Sequence, residues 1–304
     1  MSTPSPAIEI QGLIQRYGKQ DAVCGLNLRV QRGRCYGFFG RNGAGKTTTI
    51  KCLLNLLRPM GGSVRVFGLD PQQDEVAVKS RLAYVPDMVS FYPWMSVRET
   101  LDYYASFRSH WNRGIESDLL RRFGLDEKQK ANSMSKGQRT QLALITAVAP
   151  EPDLLILDEP TSGLDPIVRR EFIQTVIGAY QSGDPTNRTV FVSTHLISEF
   201  EGLIDEFTII DQGKELLSME ADAAREQFRR IRVRFQETPD TLSLPVTEAL
   251  HVSQNGREAQ ILTQSDPSRL MAKLQGMRTE ELRTEALTLE EIFIASQNLR
   301  KVTA

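Results

Sequence analysis

The sequence predicts an α/β fold in which helices cover both faces of a parallel sheet. Three short apolar or β-rich runs, at 154–157, 190–192 and 207–210, are separated by helical stretches. Continuous apolar runs of this kind are typical of parallel strands that are buried on both faces. A fourth run, at 35–39, is followed by a glycine-rich loop and a segment of helical composition. It adds a strand, loop and helix to the predicted fold.

The remaining elements of the larger domain follow from periodicity. Between residues 8 and 30, apolar residues tend to alternate with polar ones around the turn residues 17–21, which predicts a small antiparallel β-subdomain. The helix after the glycine loop is predicted over 47–57 and ends before Pro59. A helical insert is predicted at about 92–148, with helices at 97–107, 117–123 and 137–148.

The C-terminal part of the chain is more polar and is predicted to form a small α+β accessory domain. Its predicted strands are 229–235 and 258–262, and its predicted helices are 267–274 and 289–299. The predicted domains are therefore 1–219 and 220–304. Because no cluster of His, Cys or paired carboxylates with ligand spacing stands out in it, this region is interpreted as having no chemistry of its own.

Composition excludes several classes of protein. Thirty-seven basic and thirty-eight acidic residues give a net charge of -1, which predicts no nucleic-acid partner. Cys24, Cys35 and Cys52 show no CxxC spacing and are predicted to be reduced and structural. The first residues lack a basic start and an apolar core, and no run is long enough to span a bilayer, so a cytoplasmic protein is predicted.

The glycine-rich loop fits a phosphate-binding pattern. Its residues are Gly40, Arg41, Asn42, Gly43, Ala44, Gly45, Lys46 and Thr47, which match G-x-x-x-x-G-K-[ST] between a strand and a helix. Backbone N–H groups of such a loop converge on phosphate oxygens. Lys46 is predicted to reach the β- and γ-phosphates, Thr47 to hold Mg²⁺, and Thr48 to complete the nucleotide site. A chance glycine turn is the alternative.

Two adjacent carboxylates end the predicted strand at 154–157. Asp158 and Glu159 lie at the strand edge where open α/β sheets bind ligands, and their side chains point to opposite faces. Asp158 is predicted to bind Mg²⁺ through its water shell, and Glu159 to orient and deprotonate the attacking water. An acidic helix cap is the alternative.

Over roughly residues 8–220, the order of these patterns resembles the ABC transporter ATPases, which have a P-loop NTPase (RecA-like) core. The resemblance implies that Tyr17 stacks on adenine. It also implies that Ser135, Gly137 and Gln138, within the signature segment 134–138, face the γ-phosphate bound to the other subunit of a dimer. Lys136 stands where the family has a glycine, and its cation either acts on that nucleotide or points to solvent.

Three more residues carry roles that the resemblance implies. Asp165, in the segment 162–165, matches the family's D-loop, although a capping role at a helix start is the alternative. His195 matches the switch histidine that contacts the γ-phosphate, and a structural histidine is its alternative. Asp87 stands where the family usually has a glutamine that binds Mg²⁺; a carboxylate can also bind the metal.

Two further segments bear on partners. The aromatic run 91–95 lies where family members receive a coupling helix from an integral membrane permease, and core packing is the alternative. The tail around 288–293 resembles those of bacterial exporter ATPases of the ABC-2 branch.

The resemblance implies a homodimeric or heterodimeric ATPase on the cytoplasmic face of the inner membrane that powers translocation, with export favoured. The alternatives are a soluble ABC ATPase outside transport and a binding-only subunit of a heterodimer.

Overall fold

The computed structural model describes residues 5–181, 188–239, 249–264 and 267–302. The chain divides into two compact units, Met1–Glu215 and Leu216–Ala304. The strands of the first unit are β1 Ile8–Tyr17, β2 Gln20–Val30, β3 Cys35–Gly40, β4 Gly61–Val66, β5 Leu82–Val85, β6 Leu154–Asp158, β7 Thr189–Thr194 and β8 Glu206–Asp211. Its helices are α1 Lys46–Leu53, α2 Glu75–Arg81, α3 Val97–Ala105, α4 Arg113–Phe123, α5 Lys136–Val148 and α6 Pro166–Gln181, and β9 Lys214–Glu220 carries the chain over the boundary.

A six-stranded sheet with strand order β5-β6-β7-β3-β8-β9 forms the centre of the first unit, and its strands β5, β6, β7, β3 and β8 pair in parallel. Every residue of β3, β6 and β7 is buried, as the continuous apolar runs predict. The ring centroid of Phe191 in β7 lies 5.9 Å from that of Tyr36 and 5.3 Å from that of Phe38, so aromatic side chains of the neighbouring strands β7 and β3 pack on each other. The predicted α/β fold is confirmed. β5 is not predicted from the sequence because four residues are too short to display a period.

The antiparallel sheet has the order β2-β1-β4. Its first hairpin pairs Tyr17 with Gln20 across the tight turn at Gly18 and Lys19, so the predicted turn is where the chain reverses. β4 pairs with the other edge of β1 and lies outside the segment that the alternation covers.

Helices α3, α4 and α5 occupy the predicted helical insert. α4 begins at Arg113, before the predicted residue 117, because the Asn112 side chain accepts hydrogen bonds from the N–H groups of Gly114 and Ile115. α1 is shorter than predicted: it ends at Leu53, and Asn55 takes a left-handed conformation with φ of 55°.

The second unit is built on a four-stranded sheet of order β11-β12-β10-β13. Its elements are α7 Ala221–Gln227, β10 Arg229–Phe235, β11 His251–Asn255, β12 Glu258–Thr263, α8 Pro267–Gln275, β13 Thr279–Ala286 and α9 Leu289–Val302. Ile231, Val233 and Ile261 pack with Leu270 and Leu274 of α8 into a small core. The sequence predicts β10, β12, α8 and α9 but not β13, whose charged residues obscure its alternation.

Candidate functional site

The loop between β3 and α1 is shaped by close backbone approach. Gly45 precedes α1 with φ of 107°, and a Cβ at that position would lie 2.5 Å from the carbonyl oxygen of Ala22. Only glycine fits both the left-handed backbone and the space. The loop therefore presents backbone N–H groups at the start of α1, an arrangement suited to phosphate.

The side chain of Lys46 is buried beneath this loop. Its Nζ donates hydrogen bonds to the carbonyl oxygens of Gly40 at 2.7 Å and Arg41 at 3.3 Å. It also lies 2.9 Å from Oε1 of Glu159, and only 5% of the Lys46 side chain is exposed. The ammonium is thus held by three oxygens, which fixes a positive charge at the edge of the loop.

Glu159 joins Lys46 to the end of β7. Its Oε2 accepts a 3.1 Å hydrogen bond from Oγ1 of Thr194 and lies 2.8 Å from Nδ1 of His195. Glu159 also has a left-handed backbone, with φ of 47°, and its N–H donates to the carbonyl of Ser193 at 2.7 Å. This backbone conformation is costly for a residue other than glycine, and strain of this kind clusters at functional sites.

Asp158 lies under the cavity with one oxygen unsatisfied. Ser193 Oγ donates to Asp158 Oδ1 at 2.8 Å, whereas Oδ2 is buried without a hydrogen-bond partner. Burial raises the pKa of Asp158, while the nearby hydroxyls of Thr47 and Ser193 and the charge of Lys46 oppose the shift. A buried carboxylate oxygen beside a threonine hydroxyl fits a hydrated Mg²⁺, which favours one or two carboxylates together with substrate phosphates.

Lys46, Thr47, Glu159 and His195 border one cavity of about 360 Å³, and Asp158 is not among the residues that line it. The predicted residues that line it are Tyr17, Arg41, Asn42, Gly43, Gly45, Lys46, Thr47, Thr48, Asp87, Glu159 and His195. Gly40 and Ala44 are buried in the supporting backbone. Gln20, Ala22 and Ser162 also line the cavity and are not among the predicted site residues. The position of Gln20 just after the Tyr17 turn is a signal for its inclusion, and Ser162 lies in the predicted D-loop segment.

Besides Gly40, Ala44 and Asp158, four predicted residues do not line this cavity. Ser135 forms a capping box with Gln138 at the start of α5, and Gly137 packs near Val168 of α6. Asp165 caps α6, since its Oδ1 accepts hydrogen bonds from Ile167 at 3.0 Å and Val168 at 3.1 Å. Asp165 therefore makes a capping contact, and its role in the D-loop stays a prediction. None of these four residues lies in the cavity that Lys46 and Glu159 border.

Two of the cysteines are buried outside the cavity. Cys35 and Cys52 are buried free thiols, and burial raises the pKa of Cys52 to about 11, which makes it unreactive.

Tyr92, Trp94 and Phe107 are exposed, with Trp94 65% and Phe107 70% accessible, so these rings are not core residues. We define the aromatic patch as Tyr92, Trp94, Tyr103, Tyr104 and Phe107. The ring centroid of Tyr92 lies 5.1 Å from that of Trp94 and 5.7 Å from that of Tyr103.

Among the described residues, no helix combines the length and apolar character needed to cross a bilayer. Within the same ranges, no group of three or more His, Cys, Asp or Glu side chains is placed to hold a metal ion. A site made of Thr47, Asp158 and nucleotide oxygens does not require such a group.

The family profile and the known proteins that match this chain in sequence agree with each other. A family profile described as ABC transporter matches residues 23–162. The bacitracin transport ATP-binding protein BcrA of Bacillus licheniformis is 35% identical over 228 residues, which are 74% of this chain and 74% of that protein. The daunorubicin/doxorubicin resistance ATP-binding protein DrrA of Streptomyces peucetius is 32% identical over 314 residues, covering 96% of this chain and 92% of that protein.

A solved structure shares the fold of most of the chain. The structure of an ATP-binding subunit of an ABC transporter superposes with a TM-score of 0.66 and 27% identity, over 73% of this chain and 92% of that one. The matching profile includes the glycine loop, both carboxylates and the signature segment.

Proposed function

This chain belongs to the family of ABC transporter ATP-binding subunits, and from that premise we propose how its residues bind and hydrolyse ATP. It is the ATP-binding and ATP-hydrolysing subunit of an ABC transporter and powers substrate translocation by a separate membrane subunit. The observation that carries the proposal is the meeting of the glycine loop, Lys46, Glu159 and His195 at one cavity.

Binding of ATP uses the loop and the residues beside it. The N–H groups at the start of α1 and the Lys46 ammonium hold the β- and γ-phosphates. Tyr17, which is 48% exposed at the cavity mouth, offers a ring face to adenine. We assign Gly40, Arg41, Asn42, Gly43, Ala44, Gly45, Thr47 and Thr48 to the same site.

Glu159 is the general base. It orients a water for in-line attack on the γ-phosphorus and accepts its proton as the bond to the ADP oxygen breaks. His195, 2.8 Å from Glu159, fixes the carboxylate and contacts the γ-phosphate. Thr47 and Asp158 would hold Mg²⁺, with Asp87 at the cavity edge, and the metal would supply positive charge to the phosphate oxygens.

The complete site takes residues from two chains. Ser135, Gly137 and Gln138 lie at the N-terminus of α5 and do not line their own cavity. Ser135 Oγ accepts the N–H of Gln138 in the capping box, so its O–H can still donate, and together with this helix N-terminus it suits the γ-phosphate held by a partner chain. Asp165 lies at the same interface. We propose a dimer of two such subunits, identical or with another ABC ATPase, that closes around two ATP molecules.

The membrane partner docks near the aromatic patch. Exposed aromatic side chains are enriched at protein interfaces, and Trp94 and Phe107 are among the most exposed large apolar residues of the described chain. We propose an integral membrane permease at this surface, attachment to the cytoplasmic face of the membrane, and export as the direction, since the relatives serve bacitracin transport and daunorubicin/doxorubicin resistance. Residues 220–304 are proposed as an accessory domain.

The test is the dependence of Mg²⁺-stimulated ATP hydrolysis on protein concentration. A two-chain site makes the specific activity rise with concentration until the dimer saturates, whereas a one-chain site gives constant specific activity. A chain that binds ATP but never hydrolyses it, alone or with its permease, would favour the binding-only heterodimer subunit instead.

Replacing Tyr17 by alanine is expected to raise the KM for ATP about tenfold with little change in kcat, because base stacking contributes about 1–3 kcal/mol and is the same in the ground and transition states. Tyr17→Phe keeps the ring and should retain the original KM. Steady-state kinetics with ATP and GTP measure the effect; an unchanged KM for Tyr17→Ala would remove Tyr17 from the adenine site.

A further inference from the structure

Lys136 is the first residue of α5, at the end of a helix where positive charge is unfavourable. Ser135 is the N-cap, and α5 runs over Lys136–Val148. The aligned peptide dipoles place partial positive charge at this end, so a cation there needs a compensating partner. The family pattern that residues 134–138 resemble has glycine in this place.

That partner is the turn that follows the catalytic carboxylate. Lys136 Nζ donates a 2.6 Å hydrogen bond to the carbonyl oxygen of Ser162. It also lies 3.0 Å from the position that a Cβ would take on Gly163, whose φ is +69°. A side chain at residue 163 would therefore displace the ammonium, so Gly163 leaves the space that Lys136 uses.

The same turn leads back to the hydrolytic site. Ser162 lines the nucleotide cavity, and its N–H donates to the carbonyl oxygen of Glu159 at 3.1 Å. On the other side, Val168 Cγ1 lies 3.4 Å from the Cβ position of Gly137, the neighbour of Lys136. The start of α5 thus lies against residues 162–168, with the hydrogen bond from Lys136 to Ser162 as the polar contact and Val168 beside the backbone of Gly137.

We propose that Lys136 is a positioning residue that couples the two ATP sites of the dimer. It holds the turn from Glu159 to Asp165 against the helix N-terminus that faces the partner's nucleotide, so the hydrolytic carboxylate and the signature segment of one chain move together. The inference rests on the proposed two-chain function. Lys136 touches no substrate in this role; it acts through the carbonyl of Ser162.

Lys136→Met keeps an unbranched side chain that reaches as far as the lysine Cε and removes the donor. The maximal rate of ATP hydrolysis is expected to fall about tenfold, the loss expected of one charge-assisted hydrogen bond, with little change in KM. Lys136→Arg restores a cationic donor and should recover most of the rate. Lys128→Met, a change at another exposed lysine of the helical insert, is the matched control and should behave as wild type.

ATP-dependent dimerisation in a Glu159→Gln background separates positioning from general stability. The Glu159→Gln/Lys136→Met protein should need about 100-fold more protein to dimerise than Glu159→Gln, because both chains carry the change and each loses about tenfold. If Glu159→Gln itself does not dimerise with ATP, the dimer of identical subunits fails, and the coupling inference for two identical sites fails with it. If Glu159→Gln does dimerise, the coupling inference alone is overturned when Lys136→Met matches wild type in rate and dimerisation, or when Lys136→Arg is as impaired as Lys136→Met.

Discussion

Replacing Glu159 by glutamine is expected to lower kcat for ATP about 1,000-fold while ATP still binds, because proton abstraction by a positioned base contributes about 10²–10⁴-fold. The amide keeps the shape of the carboxylate and can still contact Lys46 and His195. It cannot accept the proton of the attacking water. Loss of the negative charge also removes a repulsion toward the γ-phosphate, so the ATP-bound dimer should accumulate.

Single-turnover hydrolysis and sedimentation of the ATP-bound protein measure the two parts of this prediction. Glu237→Gln, the same substitution at an exposed position in the other unit, is the control and should leave both unchanged. A Glu159→Gln protein that hydrolyses ATP within about tenfold of wild type, a loss far below that of a general base, would show that another group takes the proton.

The sequence is sufficient for the buried strands β3, β6, β7 and β8 of the central sheet because burial on both faces leaves continuous apolar runs with no competing pattern. The runs at 154–157 and 190–192 became β6 and β7. The sequence does not predict β5 or β13, for different reasons. β5 has only four residues, and β13 carries charges on residues that face away from its core. Helix ends depend on caps, and the early start of α4 is set by one asparagine side chain.

The nucleotide cavity is also largely predictable, because a phosphate loop and a strand-end carboxylate pair are local patterns whose meeting follows from parallel strands. The contacts between them are not local. No spacing reveals that Lys46 lies 2.9 Å from Glu159, or that Lys136 bonds to the carbonyl of Ser162 rather than pointing to solvent. Gln20 and Ala22 join the cavity only because the β1–β2 hairpin folds beside the loop.

Lys46→Met is expected to weaken ATP binding about 100-fold, since losing one partner of a buried, hydrogen-bonded charge pair costs about 2–5 kcal/mol and each 1.4 kcal/mol is tenfold in Kd. The substitution removes the charge for the phosphates and also leaves Glu159 and the carbonyl of Gly40 without their cation. Hydrolysis should fall below detection, because binding and transition-state charge stabilisation are lost together.

The geometry also predicts that Lys46→Arg does not rescue. The ammonium occupies a space bounded by two carbonyl oxygens and Oε1 of Glu159. Because only 5% of the Lys46 side chain is exposed, the wider planar guanidinium of arginine cannot contact all three oxygens in this space. Lys51→Met, at an exposed lysine on the same helix, is the matched control and should bind ATP normally. Titration with a fluorescent ATP analogue measures Kd. Wild-type affinity in Lys46→Met would mean that the backbone N–H groups alone hold the phosphates. Full recovery of affinity in Lys46→Arg would mean that the positive charge matters and that the contacts with the three oxygens do not.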